Sequence, residues 1–275
     1  MALTLAVFAR AGRLYRENPI LVLPTLLIQG LAFGPPLAGW LARGHGHALQ
    51  SGSVALLVSL AWLGVYFFAG NFLTAASMGM SAAAWRIDLA TLTDGLLAGT
   101  RRWWKLAQAV LLFILIAIPL GFAGLVVLDA SIPQEARRRA FLTHPPMAVI
   151  GAFVVLGLAF WFFTVYLVPA IVIGERSVVD ALRRAARLSW RRGRETLALL
   201  APLALVAGLL VLGGKYGAEL LAQGPLWMRI LYEMLNNLAE VLWGTYTTLA
   251  IAGQFLELEG AVQGLHARPL APRYE

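Results

Sequence analysis

Apolar residues run through this chain in long blocks, separated by short arginine-rich segments. A bilayer core of roughly 30 Å is crossed by about 20 apolar residues in helical form. Six stretches meet that length, at about 19–42, 53–80, 104–129, 146–174, 195–213 and 233–256. The third is the cleanest, with no charge from Leu106 to Leu128, and the sixth is the most polar. The pattern predicts an all-α, polytopic fold with about six transmembrane helices. It makes residues 1–275 a single integral membrane domain, ending in a cytoplasmic tail at 260–275.

Between the apolar blocks lie amphipathic segments, expected as interfacial helices at about 3–17, 91–104 and 177–194. Two of them are related. Thr91-Leu-Thr-Asp94-Gly-Leu96 leads to Arg101 and Trp104, and Ser177-Val-Val-Asp180-Ala-Leu182 leads to Arg187 and Trp190. Both fit Ser/Thr-x-x-Asp-x-Leu-x4-Arg-x2-Trp, at a constant offset of 86, and both precede a span. Arg10-Ala-Gly-Arg13-Leu14 echoes Arg184-Ala-Ala-Arg187-Leu188 without the acid, which suggests three pseudo-repeated hairpins. Each Ser or Thr is placed to cap its helix, with Asp at the third helical position as a variant capping box. The acid also suits the positive end of the helix dipole. On a helical wheel Val178, Val179, Leu182, Ala185, Ala186 and Trp190 share one side, opposite Asp180 and the arginines.

Charge then sets an orientation. With six spans, the termini and even-numbered loops carry 16 of the 22 basic residues, and the opposite side carries 6. The positive-inside rule therefore puts both termini in the cytoplasm of a multi-pass protein of the cytoplasmic membrane. The first apolar run is short and is followed, not preceded, by arginines, so the start reads as mature sequence.

Composition agrees. The chain is 60% hydrophobic and 13% charged, against about 25% charged residues in a soluble domain. Its net charge of +8 fits arginine-rich cytoplasmic loops better than nucleic-acid binding. With no cysteine, disulfides, thiolate nucleophiles and cysteine metal sites are excluded.

The segment Val168-Pro-Ala-Ile-Val-Ile-Gly-Glu-Arg-Ser-Val-Val-Asp-Ala-Leu-Arg-Arg-Ala-Ala-Arg-Leu-Ser-Trp resembles a recurring pattern in six-span bacterial and archaeal membrane proteins. One such protein is the membrane domain fused to some glycerophosphodiester phosphodiesterases. There, a span ends in Pro and β-branched residues, and a short turn leads into an Ala-Leu-x-x-Ser-x-x-Leu helix. The likeness covers residues 60–215 and its motif is structural. It implies an integral membrane accessory or scaffold domain. The fused enzyme's activity does not carry over, because this chain has neither the hydrophilic domain nor an acidic metal cluster.

The remaining chemistry is sparse. Arg183, Arg184, Arg187, Arg191, Arg194, Trp190, Arg101 and Arg102 are candidates for anionic headgroup binding. The same residues would serve a plain topology anchor, which generic attraction of about 1 kcal/mol per basic residue already explains. Glu240 is the one clear carboxylate inside a span; with Asn236, Asn237 and Thr247 it forms a polar stripe, and Asn71 lies in the second span. An intramembrane acid marks a solute or ion site unless it packs at the interface. Gly70, Thr74, Ser77 and Ser81 suit helix–helix contact. His45 and His47 lack acidic or cysteine neighbours and make a poor metal site. No catalytic set, metal site or cofactor motif stands out. The expectation is a non-enzymatic scaffold, accessory or lipid-contacting protein. Its partners would be anionic membrane lipids and a membrane protein or second copy, with no nucleic acid. The alternative is a transporter or permease subunit with a polar site around Glu240.

Overall fold

The structure, a computed structural model, describes residues 2–32, 52–131, 157–221 and 224–263. Among these it is helical, with no strand. The far end of the first predicted span, residues 146–156 of the fourth, the His45/His47 loop and the tail from 264 lie outside the described residues.

Helix α1 (Ala2–Glu17) buries Thr4, Val7, Ala11 and Leu14, spaced as one helical face. It ends at Asn18, ahead of the 3-10 turn Pro19–Leu21 and α2 (Val22–Ala32). The buried Asn18 amide donates to the carbonyls of Leu14 (3.0 Å) and Asp88 (3.2 Å), and its oxygen accepts from Ala90 N–H at 2.8 Å. One side chain thus joins the end of α1 to the next hairpin.

Helices α3 (Gly52–Ile87) and α4 (Leu92–Ser131) form that hairpin. A Cβ on Gly79 would overlap that of Ala98; one on Gly95 would come within 2.8 Å of the Met80 sulfur, and one on Gly99 within 2.7 Å of the Phe72 ring. Small residues let these two backbones approach closely. At about 1.5 Å per residue α3 and α4 are about 54 and 60 Å long, well beyond a bilayer core. The predicted interfacial segment 91–104 and the span behind it form one continuous helix, since Trp103-Trp104-Lys105-Leu106 contains nothing that breaks one.

Residues Gly157–Val172 form α5, interrupted by a turn at Val165–Tyr166. The cause is Pro169, which has no N–H for the Val165 carbonyl and whose ring crowds it. Helix α6 (Val178–Arg191) and α7 (Gly193–Leu220) are separate: Arg192 leaves helical geometry (φ −114°, ψ 40°) just before Gly193. Helix α8 (Leu226–Gln263) closes the bundle.

Packing is concentrated at one end. The core draws on Val7, Leu14, Trp85, Leu106, Tyr166, Ile171, Leu188, Leu199, Leu249, Phe255 and Leu258. Away from that end large apolar side chains face outward, among them Leu63, Leu115, Leu209, Val211, Leu220, Leu226 and Met234. Two stretches, Ser59–Ile87 and Gly193–Leu220, are long and apolar enough to cross a membrane. Only 11% and 17% of their most apolar windows are buried, which is not how the core helix of a soluble domain behaves.

Candidate functional site

The packed end carries the arginines, and its geometry starts with two matching caps. At the start of α4 the Asp94 carboxylate accepts from Thr91 N–H (3.0 Å) and Oγ1–H (2.7 Å), while Asp94 N–H donates to Thr91 Oγ1 at 3.2 Å. At α6, Ser177 Oγ donates to Asp180 at 2.6 Å and accepts from Asp180 N–H at 3.3 Å. The repeated sequence therefore folds into a repeated local structure.

The acids at the hairpin ends form a second repeated feature. Asp88 lies 3.3 Å from Arg10, Glu175 lies 2.6 Å from Arg102, and Glu259 lies 2.9 Å from Arg184. In each case an arginine of one amphipathic segment meets an acid 73 to 78 residues further on, at the end of the following hairpin. Asp88 and Glu175 adopt left-handed backbone (φ 56° and 53°), which turns the chain out of one helix toward the next. The Arg102 hydrogen bond beside Glu175 holds its carboxyl below its ordinary value of 4.5. Lys105 also donates to the Arg176 carbonyl at 3.2 Å, so α4 grips the α5–α6 turn at two points.

Glu259 is shared. Its Oε1 accepts from Arg184 Nε and Nη2 and from Arg176 Nη2 at 3.2 Å, with only 12% of its side chain exposed. Arg102 and Arg184, expected as headgroup ligands, are thus engaged by acids of the same chain, at 15% and 18% side-chain exposure.

The wheel of α6 divides differently from the sequence expectation. Its buried face is Ala181, Ala185, Leu188 and Ser189, with Arg184 at its edge. Trp190 and Val179 point outward, 75% and 53% exposed. The outer surface carries two stripes. One is apolar, formed by exposed Val179 and Trp190 with half-buried Leu182 and Ala186 between them; the Trp190 indole stacks 6.4 Å from the Phe163 ring. The other consists of Arg183, Arg187 and Arg191, all exposed; Arg194, also exposed, follows beyond the break in the first turn of α7. Arg101 on α4 is exposed as well.

The polar residues of α8 and α3 lie apart from this face. Asn236 Nδ2 donates to Glu240 at 2.9 Å, one turn away, and Asn237 donates to the Glu233 carbonyl. Asn71 likewise donates to the Phe67 carbonyl at 2.7 Å. The amide of Asn236 packs within 3.0 Å of where a Cβ on Gly214 would be, at the α7–α8 contact. Thr247 is half-buried, and its hydroxyl lacks a hydrogen-bond partner among the described residues. Sequence reasoning missed the acids Asp88, Glu175 and Glu259. The available signal was their scarcity, since 14 acids serve 22 basic residues and these three sit at the ends of apolar blocks. Among the described residues no cluster of His, Asp and Glu could hold a metal ion.

One family model, described as "Domain of unknown function (DUF7847)", matches residues 1–258. No curated protein and no solved structure matches the chain.

Proposed function

The chain belongs to the DUF7847 family, and we propose that it is a six-span, non-enzymatic protein of the cytoplasmic membrane. In this reading its packed end faces the cytoplasm and holds anionic lipid, as a scaffold or accessory component.

The observation that carries this reading is the divided outer surface of α6. An apolar stripe, exposed at Val179 and Trp190, runs beside an exposed stripe of three arginines, with Arg194 following at the start of α7. A helix lying in the plane of a membrane needs that arrangement, with apolar side chains toward acyl chains and guanidinium groups among phosphates. The outward-facing leucines and valines of α3, α4, α7 and α8 supply the surface that lipid would cover. Repeated hairpins with amphipathic entries suit a scaffold, in line with the resemblance to accessory membrane domains.

Replacing Arg183, Arg187, Arg191 and Arg194 with Gln tests the lipid role on protein reconstituted in nanodiscs. Lipid analysis of the annular shell is expected to show loss of phosphatidylglycerol enrichment over phosphatidylcholine. Equal enrichment with and without the arginines would reject it. A transport reading centred on Glu240 has weaker support, because its carboxylate is engaged by Asn236 on its own helix.

A further inference from the structure

The arginine end contains a hollow of about 320 Å3, set between the end of α3, the start of α4 and the α5–α6 turn. It exists because the residues over the α3–α4 crossing are small: Gly79, Ala82, Ala83 and Ala98. Three arginines line it, Arg86, Arg101 and Arg102, together with the acids Asp94 and Glu175. Both acids are already engaged, Asp94 by the Thr91 cap and Glu175 by Arg102 at 2.6 Å. Arg86 and Arg101 are exposed and, among the described residues, have no acid within ion-pair distance. Two arginines without an ion-pair partner among the described residues thus line one hollow. Ile87 and Leu97, both large and outward-facing, form its apolar sides.

We infer that this hollow binds a phosphate group, carried on a lipid headgroup or free in solution, between Arg86 and Arg101. The guanidinium fork matches phosphate oxygens in pairs and stays charged at any accessible pH. An anion here would supply the ion-pair partner that neither arginine has among the described residues. The apolar sides give an acyl chain somewhere to lie, and the volume falls at the small end of ligand sites. The lipid form of the ligand rests on the membrane reading above; free phosphate does not require it.

The test uses the full chain in detergent, with dioleoyl phosphatidic acid titrated in and native mass spectrometry as readout, then inorganic phosphate added as competitor. The wild type is expected to hold one phosphatidic acid. Arg86→Gln/Arg101→Gln is expected to weaken it by about tenfold or more, the scale of one lost charged hydrogen bond. Arg86→Lys/Arg101→Lys keeps the charge and should recover part of the affinity, which separates loss of the site from loss of the fold. Arg183→Gln/Arg187→Gln, on the α6 stripe, should leave this single site filled. Displacement by millimolar inorganic phosphate would identify a soluble ligand, and retention would identify the lipid. Undiminished binding in the Arg86/Arg101 glutamine variant overturns the inference, as does a wild type that takes up neither phosphatidic acid nor phosphate. Loss of the single bound lipid only in the α6 variant would also overturn it, while leaving the membrane reading intact.

Discussion

Arg184 donates from both Nε (3.1 Å) and Nη2 (2.9 Å) to one oxygen of Glu259, 75 residues further along the chain. Arg176 reaches the same oxygen, so the last described turns of α8 are clamped to α6 by a three-residue charge cluster. Removing one member leaves the others desolvated without compensation, which is more costly than never having had the pair. Glu259→Gln is expected to destabilise the protein by about 2–3 kcal/mol, somewhat under the 3–5 typical of a fully buried pair. Thermal unfolding in detergent is the measurement. A Glu259→Gln melt that overlays the wild type would show that the cluster contributes nothing.

Trp85 fixes a different contact. Its indole N–H donates to the Leu249 carbonyl at 2.8 Å, its own carbonyl accepts from Arg10 at 2.8 Å, and the Arg10 guanidinium lies 4.7 Å from the ring centre. The ring sits where a Cβ on Gly253 would be. Because Trp85 is held from two sides, it cannot swing away from a new methyl group. Gly253→Ala should therefore cost about 1–3 kcal/mol by overpacking. Gly208, where a Cβ meets nothing within 4 Å, is the control, and Gly208→Ala should be close to neutral. Equal melting temperatures for the two variants would contradict this packing.

Glu175 predicts a pH dependence. Its carboxyl is held below the ordinary 4.5 by Arg102, so between the two values the unfolded chain binds more protons than the folded one. The contribution is fully present above the unfolded value and is lost as pH falls through the folded one. The difference in melting temperature between wild type and Glu175→Gln should hold steady from pH 7 to about pH 5, then shrink toward zero as pH falls past the ordinary 4.5 and through the lowered folded value. At 68% exposure of the Glu175 side chain the difference will be small. A gap that widens on acidification would reverse the assignment.

Local features were legible in the sequence. The Thr91/Asp94 and Ser177/Asp180 caps need only residues three apart, and both form as the spacing suggests. The start of α6 after Ser177 was readable for the same reason. The face of α6 was not. Apolarity grouped Val179 and Trp190 with Ala185, yet Ala185 is buried while Val179 and Trp190 point outward. Where large apolar side chains can remain exposed, apolarity no longer marks the inside. Close helix packing selects small side chains instead.

By itself the sequence determined the helical class, the two capped repeats and the clustering of arginines ahead of apolar blocks, because these depend on interactions within a few residues. The tertiary structure decided which arginines are available. Arg10, Arg102 and Arg184 are held by acids 73 to 78 residues away, whereas Arg183, Arg187 and Arg191 remain exposed on a neighbouring face of the same helix. An ion pair between distant segments forms only once packing has brought the helices together, so whether an arginine serves the fold or faces a ligand is settled by its neighbours in space.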